Sequence, residues 1–318
     1  MKFFKLLYSL LSKLLMLIIL LLISLIFYFS MPIKTTETVI LPQGSITKVI
    51  SHLKAQGYAL TFLDTYLLAY ALNPPKSGTL HIGTKQMSRI EFLKKLSTAK
   101  EAIDVITLIP GETRPIFLEE LAKRKKLNLS KLESAYAEFS SYKEAGIIPE
   151  TYHLPKNISE KKLITFLVSE SEKKYKELAI KHLQKYDKKE WLRILTIASV
   201  IQKEAANNQE MPIVASVVYN RLEIDMPLQM DGTLNYGKYS HVKVTPKRIK
   251  TDTSGFNTYA NKGLPPYPVC SVSITAIEAA LKPAITDYLY FMKNQSGVHD
   301  FTSSYNEHLR NIRKAKAF

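Results

Sequence analysis

The chain has 318 residues, with 44 Lys or Arg against 28 Asp or Glu, so its net charge is +16. This length allows two or three domains, and the positive charge favours an anionic partner, such as nucleic acid, acidic lipid or an acidic polymer. Because the chain has neither zinc-ligand spacing nor a recognition-helix pattern, we expect no binding of nucleic acid. The single cysteine, Cys270, excludes an intramolecular disulfide.

The N-terminal segment predicts a membrane anchor. Residues 14–33 are almost continuously apolar and are long enough to span a bilayer. Three lysines precede this segment, so the positive-inside rule places residues 1–13 in the cytoplasm and residues 34–318 outside it. A cleaved signal peptide is the alternative. The segment lacks a small-x-small cleavage site, and we therefore favour a retained anchor.

The next segment, 34–100, predicts a small α/β module. Apolar periodicity and turn residues indicate a strand, two helices and a second strand. These elements are predicted at 38–41, 46–57, 61–72 and 79–82. Their order resembles a LysM module, a small glycan-binding fold, although that fold requires no special residue that would mark it.

Residues 101–187 predict an accessory segment. It contains a helical stretch over 113–139, a loop over 144–152 and a long helix from Ser159 to about 186. We expect this last helix to link the membrane-proximal module to the C-terminal domain. The residues predicted for its inner face are Phe166, Leu167 and Leu178.

Residues 188–318 predict a domain organised around Glu204. Ile197, Ile201 and Glu204 follow one another at helical spacing, so the carboxylate lies on the buried stripe of a helix. Partial burial and the negative end of the helix dipole both favour the protonated carboxyl. A carboxylic acid that stays protonated near neutral pH suits a general acid. The alternative is an ordinary Glu at a helix end, paired with Lys203 or another cation.

The rest of this domain predicts a mixed set of elements. They are helices over 211–222 and 272–282, a long loop over 251–271, strands over 288–292 and 298–302 that form a hairpin, and a basic C-terminal helix. Long ordered loops of this kind often carry function.

Several short motifs occur together in this chain. They are ASVIQKEA at 198–205, VASVVYNRL at 214–222, LQMD at 228–231, NTY at 257–259, GLPP at 263–266, YLYF at 288–291, HDF at 299–301, IPGE at 109–112 and IPETY at 148–152. In combination they resemble the YceG family, the MltG-type endolytic murein transglycosylases. The chain departs from the family pattern at three positions. Gln202 replaces the first of two acids, Ala145 stands where Gly is usual, and Gly232 stands where Pro or Ala is common.

The resemblance implies cleavage of the β-1,4 bond between N-acetylmuramic acid and N-acetylglucosamine inside a glycan strand. No water takes part, because the muramyl C6 hydroxyl attacks its own anomeric carbon and leaves a 1,6-anhydro end. Glu204 is the carboxyl assigned to both steps, first as acid and then as base. The rule that a glycosidase needs two carboxylates therefore need not apply.

Polar side chains of the motifs are the candidates for substrate contacts, because amide and phenol groups suit acetamido and hydroxyl groups. They are Gln229, Asp231, Asn257, Tyr259, Asn220 and Arg221. For Asn220 and Arg221 a second role is open, support of the Glu204 helix. Arg221 could also pair with Asp231. His299 is either near the cleft or structural. We expect no metal and no cofactor, since no ligand spacing or phosphate loop is present.

Together these patterns predict an α+β protein with an N-terminal transmembrane helix, a LysM-like βααβ module and a C-terminal mixed α/β catalytic domain carrying its acid at a helix end. The expected partners are peptidoglycan glycan strands, the cytoplasmic (inner) membrane and peptidoglycan synthases, and the expected role is the trimming or ending of nascent strands. Two other functions stay open. One is a muramidase-type hydrolase that uses Glu204 and Asp231, and the other is a non-enzymatic anchored glycan-binding protein.

Overall fold

The computed structural model is a mixed α/β protein with an N-terminal apolar helix, and it divides into two compact units. It describes residues 2–83, 86–100 and 102–316. Unit 1 comprises Met1–Asp104 and His153–Asn157, and unit 2 comprises Val105–Tyr152 and Ile158–Phe318. Most of the predicted accessory segment, 101–187, thus belongs to unit 2.

Unit 1 begins with helix α1 (Lys2–Ser30). Its part from Phe4 to Ser30 is long and apolar enough to cross a membrane. At about 1.5 Å per residue, such a length exceeds the roughly 30 Å of the hydrocarbon core. The first strand, β1 (Pro32–Lys34), starts two residues after α1 ends. The described helix therefore starts earlier than the predicted span and joins the folded part of unit 1 almost directly.

The remaining elements of unit 1 include the predicted strands and helices. They are β2 (Thr38–Leu41), α2 (Ile46–Ala55), α3 (Phe62–Tyr66), a π-helical turn (Leu67–Ala71), β3 (Gly78–His81), β4 (Gln86–Ser88) and α4 (Arg89–Thr98). Strand β1 pairs antiparallel with β4, and β2 pairs antiparallel with β3. The second predicted helix differs from a regular α-helix, because it changes to π-helical hydrogen bonding after Tyr66.

A buried polar cluster fastens α1 to the rest of unit 1. Asp64 is fully buried, and its Oδ2 accepts hydrogen bonds from Arg89 Nη1 at 3.0 Å, Tyr28 OH at 2.7 Å and Thr61 N at 2.6 Å. The backbone amide of Arg89 also donates to the carbonyl of Met31 at 2.9 Å. The C-terminal turn of α1 is thus held by side-chain and backbone contacts at once.

Between the two units the chain crosses in two strands. Strand β5 (Ile103–Thr107) leads out of unit 1, and β6 (Thr151–Pro155) leads back to the 153–157 segment. The two strands pair with each other. The sequence indicated only a loop up to residue 152, so the structure adds a strand where that loop ends.

The stretch predicted as helical over 113–139 is helical apart from a short break after Lys125. The structure has two helices there, α5 (Arg114–Lys125) and α6 (Leu129–Phe139). Lys126 adopts a left-handed conformation with φ of 54°, which ends α5. The Asn128 side chain accepts from Lys131 N at 3.0 Å and so caps the start of α6.

The other elements of unit 2 largely match the predicted order. They are α7 (Glu160–Leu183), α8 (Lys188–Glu204), α9 (Met211–Glu223), α10 (Pro246–Thr251), α11 (Ile274–Leu281), β7 (Tyr290–Lys293), β8 (His299–Thr302) and α12 (Tyr305–Lys316). Helix α7 lies wholly in unit 2 and packs on α6, and along the chain it stands between the 153–157 segment of unit 1 and α8. Leu167 is fully buried on its inner face, but Phe166 is 41% exposed, so its predicted burial is wrong.

Helix α8 is the centre of unit 2. Its side chains from Ile194 to Ile201 are buried, and it packs against both α9 and α11. Trp191, the single tryptophan of the chain, is fully buried in the same core. The apolar face that the helical spacing predicted is therefore a core face, and it brings the C-terminal end of α8 to the site described below.

We predict that Asp64→Ala lowers the free energy of unfolding of unit 1 by about 3–5 kcal/mol, because it leaves the buried Arg89 cation without its carboxylate. The measurement is hydrogen exchange of unit 1 amides in the full chain in detergent. The matched control is Glu91→Ala in the same unit, which breaks an exposed pair with Lys95 and should cost less than about 1 kcal/mol. Equal, small losses of protection in the two variants would contradict this account of unit 1.

Candidate active site

Glu204 is the last residue of α8, and the backbone turns to an extended conformation at Ala205. Its side chain is half-buried. Its Oε1 accepts a hydrogen bond from the backbone amide of Gly232 at 2.7 Å. Within the residues that the structure describes, Gly232 is its one hydrogen-bond partner, so Oε2 can meet the oxygen of a bound molecule.

Burial raises the pKa of the Glu204 carboxyl to about 7. The Gly232 amide lowers this pKa, the negative charge of Asp231 raises it, and the cation of Arg221 lowers it, in decreasing order of effect. Near neutral pH the protonated and ionised forms are therefore both well populated. A group with this property can donate a proton and also accept one.

Gly232 allows the turn that follows Asp231 to lie directly on the end of α8. A Cβ atom at this position would lie 2.5 Å from Lys203 Cβ and 2.7 Å from Glu204 Oε1, both too close for a real contact. A proline here would have no amide hydrogen to donate to the carboxylate. The departure from the common Pro or Ala thus has a physical role in this chain, which the sequence did not reveal.

Asp231, Tyr259 and Gln229 lie on the surface beside this contact. Asp231 is exposed, and its Oδ1 accepts from the Tyr259 hydroxyl at 2.8 Å. Burial, followed by the hydrogen bond to Asp231, raises the pKa of Tyr259, so its hydroxyl keeps its proton. The Gln229 side chain is exposed, its backbone has φ of 48°, and its backbone amide donates to the Thr258 carbonyl at 3.1 Å. These three side chains are placed where a substrate could reach them.

Asn257 is a correction to the predicted set, because its side chain faces the interior of its loop. It is fully buried. Its Nδ2 donates to the carbonyls of Ile249 at 2.8 Å and Asp252 at 2.7 Å, and its Oδ1 accepts from Tyr259 N at 3.1 Å. All of these partners are protein atoms. Asn257 therefore orders the loop and positions Tyr259, and it does not meet a sugar in this arrangement.

Asn220 and Arg221 support the segment that precedes the β7–β8 hairpin. Asn220 Nδ2 donates to the carbonyls of Thr286 and Tyr288, both at 2.9 Å. Arg221 is buried, its Nε donates to the Leu289 carbonyl at 2.6 Å, and its Nη1 donates to the Leu228 carbonyl. Among the described residues it forms no ion pair with Asp231. The support role left open by the sequence fits this geometry, but the supported segments are 286–289 and Leu228 rather than the Glu204 helix.

Two further polar residues of the motifs have structural contacts. Gln202 Oε1 accepts from Ser273 N at 3.1 Å, at the residue that caps α11. His299 donates its backbone amide to Glu210 Oε1 at 2.8 Å, and its Nδ1 lies 2.7 Å from Glu210 Oε2. His299 thus connects β8 to the start of α9, which fits the structural role that the sequence left open for it.

A second glutamate, Glu144, has a similarly raised pKa but a structural role. Burial raises its pKa to about 7, and a cavity of about 530 Å³ lies beside it. Both of its oxygens, however, accept from Arg114 N at 3.0 Å, so it caps the start of α5. The next residue, Ala145, has φ of 60°, a conformation that favours glycine. Of these two glutamates, Glu204 is the one with a carboxyl oxygen that accepts no hydrogen bond from the described protein.

Comparison with known proteins identifies the family of this chain. The family model of the YceG-like family matches residues 39–314. The chain belongs to the YceG-like family.

Two curated relatives are each named "Endolytic murein transglycosylase". The protein from Bacillus subtilis is 43% identical over 117 residues, 36% of this chain and 32% of that protein. The protein from Streptococcus pneumoniae is 31% identical over 179 residues, 53% of this chain and 31% of that protein. The chain spans about a third of the length of these curated relatives. The 2.6 Å crystal structure of a yceG-like protein from Listeria monocytogenes superposes with a TM-score of 0.55 at 26% identity, covering 87% of this chain and 99% of that one.

We predict that Glu204→Gln stabilises this YceG-like chain in a pH-dependent way. The folded-state pKa of Glu204 lies above its ordinary value of 4.5, so the unmodified protein loses stability as the pH rises from 4.5 through 7. Glutamine does not titrate, and the gain should grow over this window to about 3 kcal/mol above pH 7. Chemical unfolding at pH 4.5, 6 and 8 measures it.

The control for this series is Glu138→Gln at an exposed carboxylate, which should show no such trend. A Glu204→Gln protein whose stability relative to the unmodified chain is the same at pH 4.5 and pH 8 would show that the folded protein does not raise this pKa.

Proposed function

We propose that the chain is a membrane-anchored endolytic lytic transglycosylase that cleaves peptidoglycan strands between N-acetylmuramic acid and N-acetylglucosamine. The observation that carries this proposal is the half-buried Glu204, with a pKa of about 7 and one oxygen left for a substrate. The relatives named endolytic murein transglycosylase support the choice of substrate.

In the first step, protonated Glu204 donates its proton to the glycosidic oxygen while the bond from this oxygen to muramyl C1 breaks. The N-acetylglucosamine end leaves as an alcohol, and positive charge develops at C1 and the ring oxygen. The Asp231 carboxylate, which accepts from Tyr259, is placed to stabilise that charge. The Gly232 amide stabilises the new Glu204 carboxylate through its hydrogen bond.

In the second step, the muramyl C6 hydroxyl attacks C1 and closes the 1,6-anhydro ring. Glu204, now ionised, takes the hydroxyl proton and returns to its starting form. No water is consumed, and the proton lost in the first step is recovered in the second. A pKa near 7 suits both roles of one carboxyl, because neither protonation state is strongly favoured.

Asp231 favours a second candidate function, a muramidase-type hydrolase. Its charge acts on Glu204, and a retaining glycosidase uses a carboxylate near its acid as nucleophile. Such an enzyme would release reducing ends instead of anhydro ends. Because the Tyr259 hydroxyl already binds one Asp231 oxygen, we favour a positioning and electrostatic role for Asp231.

The proposal includes how the enzyme is held. Helix α1 would anchor it in the cytoplasmic membrane, with residues 1–13 inside and residues 34–318 outside. The β2–α2–α3–β3 part of unit 1 would serve as a LysM-like glycan-binding module, which its strand–helix–helix–strand order supports. Peptidoglycan synthases are the protein partners we propose, because they produce the strands that this activity would trim or end.

We predict that Glu204→Gln folds and binds glycan but releases almost no anhydro products. Loss of general acid–base catalysis typically lowers a rate by about 10²–10⁴-fold, and here one group serves both steps. Mass spectrometry of the muropeptides released from peptidoglycan measures the products. Thermal melting and glycan pull-down of the same preparations show that the variant is intact.

The matched variant for this test is Asp231→Asn, which should retain more activity than Glu204→Gln if Asp231 only stabilises charge. Equal losses in both variants, together with reducing ends from the unmodified protein, would establish the hydrolase instead. A well-folded Glu204→Gln protein that keeps most of its cleavage activity would show that Glu204 is not the general acid.

We predict that a reporter enzyme active only in the cytoplasm stays inactive when fused to the C-terminus of the full chain. The apolar length of α1 and the lysines before it support this topology. The same reporter fused before residue 1 should be active and serves as the control. Strong activity of the C-terminal fusion would exclude the proposed orientation.

A further inference from the structure

Three exposed aromatic side chains form a continuous face on α3 and the π-helical turn that follows it. Phe62 is 69% exposed, Tyr66 59% and Tyr70 82%. The ring centroids of Phe62 and Tyr66 are 6.4 Å apart, and those of Tyr66 and Tyr70 are 5.8 Å apart in a stacked arrangement. Contiguous exposed apolar surface of this kind usually marks a contact with another molecule or a membrane. We call these three residues the aromatic face.

The aromatic face points away from the core of unit 1. Asp64 and Leu68 occupy the same helical segment and are fully buried. At about 100° per residue, Asp64 lies roughly opposite Phe62 around the helix. The buried side is thus already packed, and the aromatic side is the one left for a partner outside unit 1.

The position of α3 relative to α1 identifies that partner. Tyr28, two residues before α1 ends, bonds to Asp64 at 2.7 Å and lies 2.5 Å from Thr61 Oγ1, and both belong to the start of the α3 segment. Tyrosine side chains in helices point back toward the N-terminus, so α3 lies at the level of the last turn of α1. In that turn Ile26 and Phe27 are mostly exposed apolar residues.

A short, rigid connection preserves this level. Strand β1 begins at Pro32 and pairs with β4, and Arg89 bonds to Tyr28 at 2.9 Å and to Asp64 at 3.0 Å. Only Met31 lies between the apolar helix and β1, so the described chain leaves no flexible linker between α1 and the rest of unit 1. The aromatic face therefore cannot move far from the height at which α1 leaves the membrane.

We propose that the aromatic face is a lipid-binding surface that lies in the headgroup region of the leaflet where α1 ends. The proposal depends on α1 spanning the bilayer. Tyrosine suits this layer, since its ring prefers the acyl boundary while its hydroxyl stays with water and phosphate. Phe62, without a hydroxyl, is the ring that enters the acyl boundary. Bound in this way, the face holds unit 1 flat against the membrane instead of letting it pivot on one helix.

The test uses the full chain in phospholipid vesicles, with Tyr66→Trp and Tyr70→Trp as separate fluorescent variants. Trp191 is the single tryptophan of the chain and is fully buried, so the unmodified protein supplies the background emission. Lipids brominated on the acyl chain close to the headgroup quench tryptophan at that depth. We expect each variant to lose most of its added emission in these vesicles, and less when bromine is placed near the chain ends.

Flotation of the same vesicles separates the anchor from the aromatic face. Protein that floats and whose added emission is quenched supports the proposal. Protein that floats but keeps the same added emission in brominated and ordinary vesicles overturns it while leaving the anchor intact. Protein that does not float overturns the anchoring and the proposal together.

Soluble peptidoglycan fragments, added to the same vesicles, test a glycan as the alternative occupant. An added emission that responds to the fragments and not to bromine would show that the aromatic face stacks on sugars, and would overturn the lipid proposal. Quenching by shallow bromine that the fragments leave unchanged supports it.

Discussion

The contact between the Gly232 amide and the Glu204 carboxylate is the constraint on which the site depends. It exists because Gly232 has no side chain, which lets the turn approach to a distance that a Cβ atom would forbid. The same approach removes water from Glu204, and this burial is the main cause of its raised pKa. One close contact thus sets the position of the acid and much of its acidity, while the hydrogen bond keeps its ionised form accessible.

Around this contact, the loops are held in place largely by hydrogen bonds from side chains to backbone carbonyls. Asn257 and Arg221 direct their side-chain donors to carbonyls of neighbouring segments, and so fix the loops that present Tyr259 and Gln229. Buried polar groups are costly unless they are satisfied, so these contacts hold the loops in one arrangement. Side chains that are used to hold the loops are not available to a substrate. This explains why a loop rich in polar residues contributes so few candidate substrate contacts.

Unit 1 shows a comparable constraint at the C-terminal end of α1. A buried Asp64–Arg89 pair with Tyr28 joins the last turn of α1 to α3. A buried pair of this kind contributes little net stability, but it defines one arrangement, since each charge would be costly without the other. The net charge of +16 adds a different and less specific effect, because exposed positive charges attract anionic molecules in general but are screened over about 8 Å at physiological salt.

The sequence by itself determined the features that depend on local pattern: the apolar helix α1, the buried stripe of α8 that ends at Glu204, and the β7–β8 hairpin. It could not separate the residues that support the site from those that face it. Asn257 belongs to the same motif as Tyr259, Arg221 and Asp231 belong to two consecutive motifs, and all four are polar. Their roles depend on partners far along the chain, such as Leu289, which lies 68 residues from Arg221, and Gly232, which lies 28 residues from Glu204. Only the tertiary structure decided these roles, because hydrogen bonding and burial depend on which distant backbone atoms folding brings within reach.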